Sequence, residues 1–264
     1  MAVFVSASDE NAGKNQRSLF FFGGWVAPEP DWYNGLTPAW QKQVLDGPPK
    51  IPYLHMTEIR RPEWRAQYGL SRPDADSRID AAVDLIDKFS SLYPIGIDVN
   101  AGLFRDQLNE IKIVAASGGA KTFEPDYMCF LGYAYLVLSY VQKTHPEAER
   151  VDFVVERKTG VTKLIEEFHS HLAPDLEAIG SKHLVPLVGE LIPGGKDRAP
   201  LQAADMLCWH TGRAYHPETM DADDIRRYKK FSRRKGHRVP MSEELIQQLK
   251  AAFSQRFPNK RVQM

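Results

Sequence analysis

Apolar residues along this chain fall into short runs and periodic stretches that predict alternating strands and helices. Residues 2–8 are an apolar run that ends at Ser6-Ala7-Ser8 and gives way to Asp9-Glu10-Asn11-Ala12-Gly13, the pattern of a strand stopping at an acidic turn. Residues 18–27 carry Leu19-Phe20-Phe21-Phe22 and Trp25-Val26, a second buried strand with a break at Gly23-Gly24. A short loop with Gly and Lys joins the two as a hairpin. A Pro- and Trp-rich stretch follows, with a helix near 38–45, and Pro48, Pro49 and Pro52 then forbid regular structure ahead of Leu54-His55-Met56. Ile79, Ala82, Val83, Leu85, Ile86 and Phe89 recur close to every 3.6 residues, which predicts a helix over 75–91. The alternation of Ile95, Ile97 and Val99 predicts a third strand over 94–100. A helix over 125–142, a strand over 151–156, a helix over 161–172, a strand over 184–191 and a helix over 200–213 complete the pattern, followed by charged helices at 221–234 and 242–255.

Three early strands followed by strand–helix–strand–helix predict an α/β fold: a mixed five-stranded sheet flanked by helices on both faces. Residues 1–220 form this domain, 28–92 are a helical insertion after the second strand, and 221–264 are a basic helical C-terminal extension. There is no internal repeat and no low-complexity tract.

Composition narrows the function classes. With 264 residues, 43% of them hydrophobic and 26% charged, the chain can bury a substantial core. Its 34 basic and 34 acidic residues cancel, so attraction to a polyanion or a membrane must come from local clusters. The two cysteines, Cys129 and Cys208, sit in apolar runs; this excludes a disulfide framework and a Cys-rich zinc site and suits a reducing compartment. No basic stretch precedes an apolar one at the N-terminus, and the most apolar run, 128–141, is too short to span a bilayer. The expectation is a cytoplasmic protein with no membrane partner.

Three carboxylate positions carry the candidate chemistry. Asp9 and Glu10 end the first strand, Glu156 ends the fourth, and Asp205 lies on the apolar helix Leu201-Gln202-Ala203-Ala204-Asp205-Met206-Leu207-Cys208-Trp209. An acid on such a helix loses hydration and needs a hydrogen-bonding partner or a cation; a salt bridge to Arg or Lys is the competing reading. If the three converge, hard Mg²⁺ or Mn²⁺ is the natural neutraliser of clustered carboxylates, and two such ions orient a water and stabilise the leaving oxygen of a phosphodiester. His55 and Glu58, three residues apart, are candidates to share a helix face at the site, with His55 moving a proton or contacting phosphate. Lys196, Asp197 and Arg198 follow Pro193-Gly194-Gly195 in a loop able to approach a phosphate, with a plain surface turn as the favoured reading.

Two other signals compete. His169, His171 and His210 are the raw material of a zinc hydrolase, although residues two apart on a helix point to different faces. The segment Arg226-Arg227-Tyr228-Lys229-Lys230-Phe231-Ser232-Arg233-Arg234-Lys235 interleaves cations with aromatic rings, a composition that suits phosphates and stacking on unpaired bases; a solvated helix or a contact with an acidic partner is the competing reading.

The Asp9-Glu10 strand end, Leu54-His55-Met56-Thr57-Glu58, Val154-Val155-Glu156-Arg157 and Pro200-Leu201-Gln202-Ala203-Ala204-Asp205 together resemble the family called domain of unknown function 3800, over residues 3 to about 215. The resemblance implies a ribonuclease-H-like fold and a metal-dependent nuclease acting on RNA or DNA. Asp9, Glu156 and Asp205 would hold Mg²⁺ or Mn²⁺, with Glu10, His55 and Glu58 beside them. The chain departs from that family's pattern in having Asn11-Ala12-Gly13 in place of Ser-Gly, and Glu156 where Asp is usual. A catalytically silent nucleic-acid-binding module of the same fold is the alternative.

Overall fold

In the computed structural model, which describes residues 2–11, 19–100, 102, 112–114, 120–122, 125–157, 161–178, 180–244 and 247, the expected hairpin is formed by β1 (Ala2–Asn11) and β2 (Leu19–Pro28). Strand β2 runs straight through Gly23-Gly24 without a break. The glycines are there because the neighbouring backbones come too close for side chains: a Cβ on Gly24 would collide with the Ala7 carbonyl oxygen, and one on Gly23 would lie 2.8 Å from that of Ile95.

β3 (Tyr93–Asn100) pairs antiparallel with β2, and β4 (Lys112–Val114) and β5 (Ala120–Thr122) form a small separate hairpin. β6 (Ala148–Glu156) pairs parallel with β1, β7 (Val188–Gly194) parallel with β6, and β8 (His237–Pro240) parallel with β3. The main sheet is therefore mixed and six-stranded, in the order β7-β6-β1-β2-β3-β8. Two expectations are corrected here. The sixth strand comes from the segment expected to be a helical extension. The strand expected over 184–191 begins later, because Lys182–Leu187 is a 3₁₀ turn that buries Leu184 and Leu187 before β7 starts.

The insertion opens with continuous helix through Asp31–Leu36, α1 (Thr37–Trp40) and Gln41–Leu45. Its buried residues Trp32, Leu36, Trp40 and Val44 recur every four residues, not every 3.6, and the flanking turns are wound as π-helix, a wider winding that keeps that stripe on one face. α2 (Met56–Ile59), α3 (Pro62–Gln67) and α4 (Arg72–Lys88) follow, the last started by a Ser71/Asp74 capping box. α5 (Pro125–Thr144), α6 (Val161–Ala178), α7 (Ala199–Ala214) and α8 (Ala222–Ser232) complete the helices. The helix expected over 242–255 lies largely outside the described residues. No helix among the described residues is long and apolar enough to cross a membrane.

Strand alternation divides the core into two layers. Val5, Ala7, Phe21, Trp25 and Ala27 face the insertion and α7, while Phe4, Phe22, Val26, Ile95, Ile97 and Val99 face α5 and α6. Indole hydrogen bonds pin the first layer: Trp25 donates to the Ala203 carbonyl and Trp32 to that of Val5, each at 2.9 Å.

The basic segment docks onto α4. Asp76, Asp80, Asp84 and Asp87 form a stripe along α4 that meets Arg226, Arg227, Lys230 and Arg234. Arg227 is fully buried and donates to Asp80 at 2.8 Å and Asp76 at 3.3 Å. Arg234 donates to the carbonyls of Ile86, Asp87, Phe89 and Leu92, satisfying orphaned acceptors where α4 ends. Phe231 is buried against Trp25 and His210.

Candidate functional site

Asp9 extends the Val5-Ala7 face of β1, and Glu156 extends the Val154 face of β6. The parallel register that sets Ser8 against Val155 brings Asp9 and Glu156 to neighbouring positions at the same end of the sheet. Above them runs α7, whose turn Ala203-Ala204-Asp205-Met206 is buried. Small residues there let the helix lie close on β1, and the Cys208 thiol, within 3.1 Å of the Asp9 carbonyl oxygen, ties the two elements at this point. Asp9, Glu156 and Asp205, from three separate elements, thus line one pocket, together with Leu54, His55, Lys196, Leu201 and Gln202.

The second wall, Leu54–Met56, carries no secondary structure until α2 begins, so its backbone donors must be satisfied from elsewhere. Residues one turn apart on α7 do this: the Gln202 Oε1 accepts from the Leu54 N–H at 2.9 Å, and the Asp205 Oδ2 accepts from the Met56 N–H at 2.6 Å. Gln202 also accepts from the Trp40 indole at 2.8 Å and donates to the Lys196 carbonyl at 2.9 Å. One amide thereby joins the insertion, the second wall and the β7–α7 turn. These bonds leave Asp205 Oδ1 on the pocket side, 3.8 Å from His55 Nε2, beyond direct hydrogen bonding.

Lys196 supplies the positive charge. Its Nζ donates to Glu58 Oε1 at 2.6 Å, and the Tyr53 hydroxyl donates to Glu58 Oε2 at 2.5 Å. Burial works against the Lys196 charge, but Glu58 and then Glu156 outweigh it and hold the ammonium above the ordinary lysine range. Burial likewise opposes the Glu58 charge, yet the bonds from Lys196 and Tyr53 keep its carboxyl below the usual range. His55 is pushed down by burial first and by Lys196 second, against the pull of Asp9, Glu58 and Glu156, so it is neutral at neutral pH.

Of the expected site residues, Asp9, Glu156, Asp205 and His55 meet in the pocket, and Glu58 stands behind Lys196. The side chain of Glu10 lies outside the described residues. The nucleic-acid segment is corrected in part: Arg227 and Phe231 are buried, Arg234 is spent on carbonyls, and Arg226 and Lys230 are paired with aspartates. Tyr228 is half-buried, and Lys229, Arg233 and Lys235 stay exposed. The histidine zinc site is also corrected. His169 packs on Phe153 in the α5–α6 layer, His210 packs on Phe231 in the opposite layer, and His171 is exposed. Gln202 and Tyr53 are the members that sequence reading missed, and Lys196, there favoured as a surface turn residue, lines the pocket; the i, i+3 pair Gln202 and Asp205 on one helix was the available signal for Gln202.

Carboxylate oxygens are the donor type that Mg²⁺ and Mn²⁺ prefer, so Asp9, Glu156 and Asp205 fit such an ion in kind. Among the described residues no group of three or more His, Cys, Asp and Glu side chains is gathered in metal-holding geometry, so the fit is one of donor type and not of placement. No family model, curated protein or solved structure matches the chain.

Proposed function

We propose that this pocket is the active site of a nuclease that hydrolyses phosphodiester bonds of RNA or DNA with Mg²⁺ or Mn²⁺, on a ribonuclease-H-like fold. The fold reading is supported by the antiparallel β1–β2–β3 meander continued by parallel β6 and β7, with helices on both faces. The observation that carries the function is the meeting of Asp9, Glu156 and Asp205 with Lys196 in one pocket at the sheet end. The two buried cysteines, held as thiols, suit a reducing compartment, the cytoplasm.

Asp9, Glu156 and Asp205 would hold the ion, which when bound supplies charge neutralisation and Lewis acidity toward a phosphodiester. The chain's own residues do the rest. Hydrolysis consumes one water: its oxygen bonds to phosphorus, one P–O ester bond breaks, and the leaving oxygen gains a proton. His55, neutral and partly buried, is able to accept the water's proton. The Met56 N–H holds Asp205 in its rotamer, so the carboxylate presents Oδ1 to the pocket without searching for a geometry.

A second reading has its own support. Lys196 already places a cation among the acids, as a silent nucleic-acid-binding module would require. One assay separates the two: labelled single- and double-stranded RNA and DNA, incubated with Mg²⁺, Mn²⁺ or chelator. The nuclease reading expects cleavage that needs the metal and falls by orders of magnitude in Asp9→Asn and Glu156→Gln. Binding without cleavage in every metal condition would establish the silent module instead.

A further inference from the structure

The pocket brings the carboxylates of Asp9, Glu156 and Asp205 together with the ammonium of Lys196, behind which Glu58 stands. A phosphodiester brings a further negative charge to a place already lined by carboxylates, and a fixed cation beside it offsets that repulsion. Lys196 is built for this. Its backbone carbonyl is held by Gln202 at 2.9 Å, its ammonium by Glu58 at 2.6 Å, and its charge lies 5.9 Å from the Tyr53 ring centre. A lysine in a Gly-rich surface turn would ordinarily trail into solvent; this one is pinned at both ends and points into the acidic pocket. Its side chain remains about one-third exposed (36%), so an entering ligand can reach the ammonium.

We propose that Lys196 is the phosphate-binding residue of the pocket: its ammonium, held ready on Glu58, donates to a non-bridging oxygen of the substrate's phosphodiester. This deepens the nuclease reading and rests on it for the substrate class. An ammonium is a point charge with no base-reading geometry, so Lys196 sets the position of the backbone and not the sequence that is bound. Glu58, its second oxygen occupied by Tyr53, acts as the support that keeps the ammonium in place.

The test is equilibrium binding of a fluorescein-labelled single-stranded oligonucleotide in Ca²⁺ across a salt series, which does not require cleavage. Lys196→Met is expected to bind roughly tenfold more weakly, the loss of one charge-assisted hydrogen bond. Its plot of log affinity against log salt should be flatter by about 0.7, one single-strand phosphate contact. Lys196→Arg should restore both. Glu58→Gln keeps an oxygen that accepts from the ammonium and removes one negative charge beside the phosphate, so it should bind at least as tightly as wild type. If Lys196 only ties Glu58 in place, Lys196→Met and Glu58→Gln will share one phenotype, and that result overturns the proposal. Wild-type affinity and salt slope in a normally folded Lys196→Met overturn it equally. Absence of metal-dependent cleavage in wild type would defeat the nuclease reading while this binding comparison still decides the role of Lys196.

Discussion

In the clasp between α4 and α8, four aspartates of one helix each meet a cation from the C-terminal segment, and the central cation, Arg227, is buried among them. In the pocket at the end of β1 and β6, the acids Asp9, Glu156 and Asp205 line one cavity together with Lys196. Both regions are rich in charge, and both draw on α7 or its neighbours. The clasp closes its charge balance within the chain and so has nothing to offer a ligand. The pocket instead brings acids from three separate elements to one partly desolvated place, where a cation or a substrate can meet them.

That contrast breaks most visibly at Arg227. Replacing it with Met takes one cation from Asp76, Asp80 and the fully buried Asp224, at a cost of about 3–5 kcal/mol. Denaturant unfolding should show the loss, while the gain in stability on adding Mn²⁺ should be the same as in wild type. If the Mn²⁺ response disappears as well, the two regions are not independent.

A smaller effect is expected at His210, which packs on the clasp side with neither ring nitrogen hydrogen-bonded among the described residues. Burial first, then Arg227, Arg60 and Arg213, push its pKa from 6.5 down to about 3. The folded value lies below the unfolded one, so as pH falls below 6.5 the unfolded chain takes up a proton that the folded chain refuses. Stability therefore drops by up to ~1.4 kcal/mol per pH unit from this residue, roughly 2–3 kcal/mol by pH 4.5. His210→Phe should flatten that decline in urea titrations run between pH 7 and 4.5. An unchanged slope would show that His210 is not kept neutral.

The smallest effect on stability belongs to the cations that the clasp leaves outside. Lys229, Arg233 and Lys235 changed together to Glu should each move folding stability by no more than ~0.5 kcal/mol. Oligonucleotide affinity and its salt dependence should nevertheless both fall, because fewer counterions are released. Wild-type affinity with a wild-type salt slope would mean that the exposed face of α8 does not touch nucleic acid.

The difference between the two regions also explains what the sequence made legible. The alternation of Ile95, Ile97 and Val99 marked β3 and the apolar runs marked β1 and β2, and acids at the ends of β1 and β6 were recognisable because strand ends at one edge of a sheet converge. The Arg226–Lys235 run was misread because a charge run carries no record of its partner, which here lies about 150 residues away in sequence. The acid stripe at 76, 80, 84 and 87 on a helix already expected was the missing half of that signal. Lys196 looked like an exposed turn residue because its anchors, Gln202 and Glu58, become neighbours only after α7 packs over the Leu54–Met56 wall. The shift of β7 to residues 188–194 follows from the same limit: an apolar run such as 184–187 fits a buried turn as well as a strand.

The central claim, that the pocket binds a divalent metal through Asp205, is tested most directly by paired thermal melts of wild type and Asp205→Asn in chelator and in Mn²⁺. The asparagine oxygen is still able to accept from the Met56 N–H, and one charge is removed from a cluster of carboxylates. The variant should therefore melt at or slightly above the wild-type temperature in chelator and lose the stabilisation that Mn²⁺ gives wild type. A variant that melts well below wild type in chelator, yet gains as much from Mn²⁺ as wild type does, would show that Asp205 is a structural acid and that the pocket does not hold metal through it.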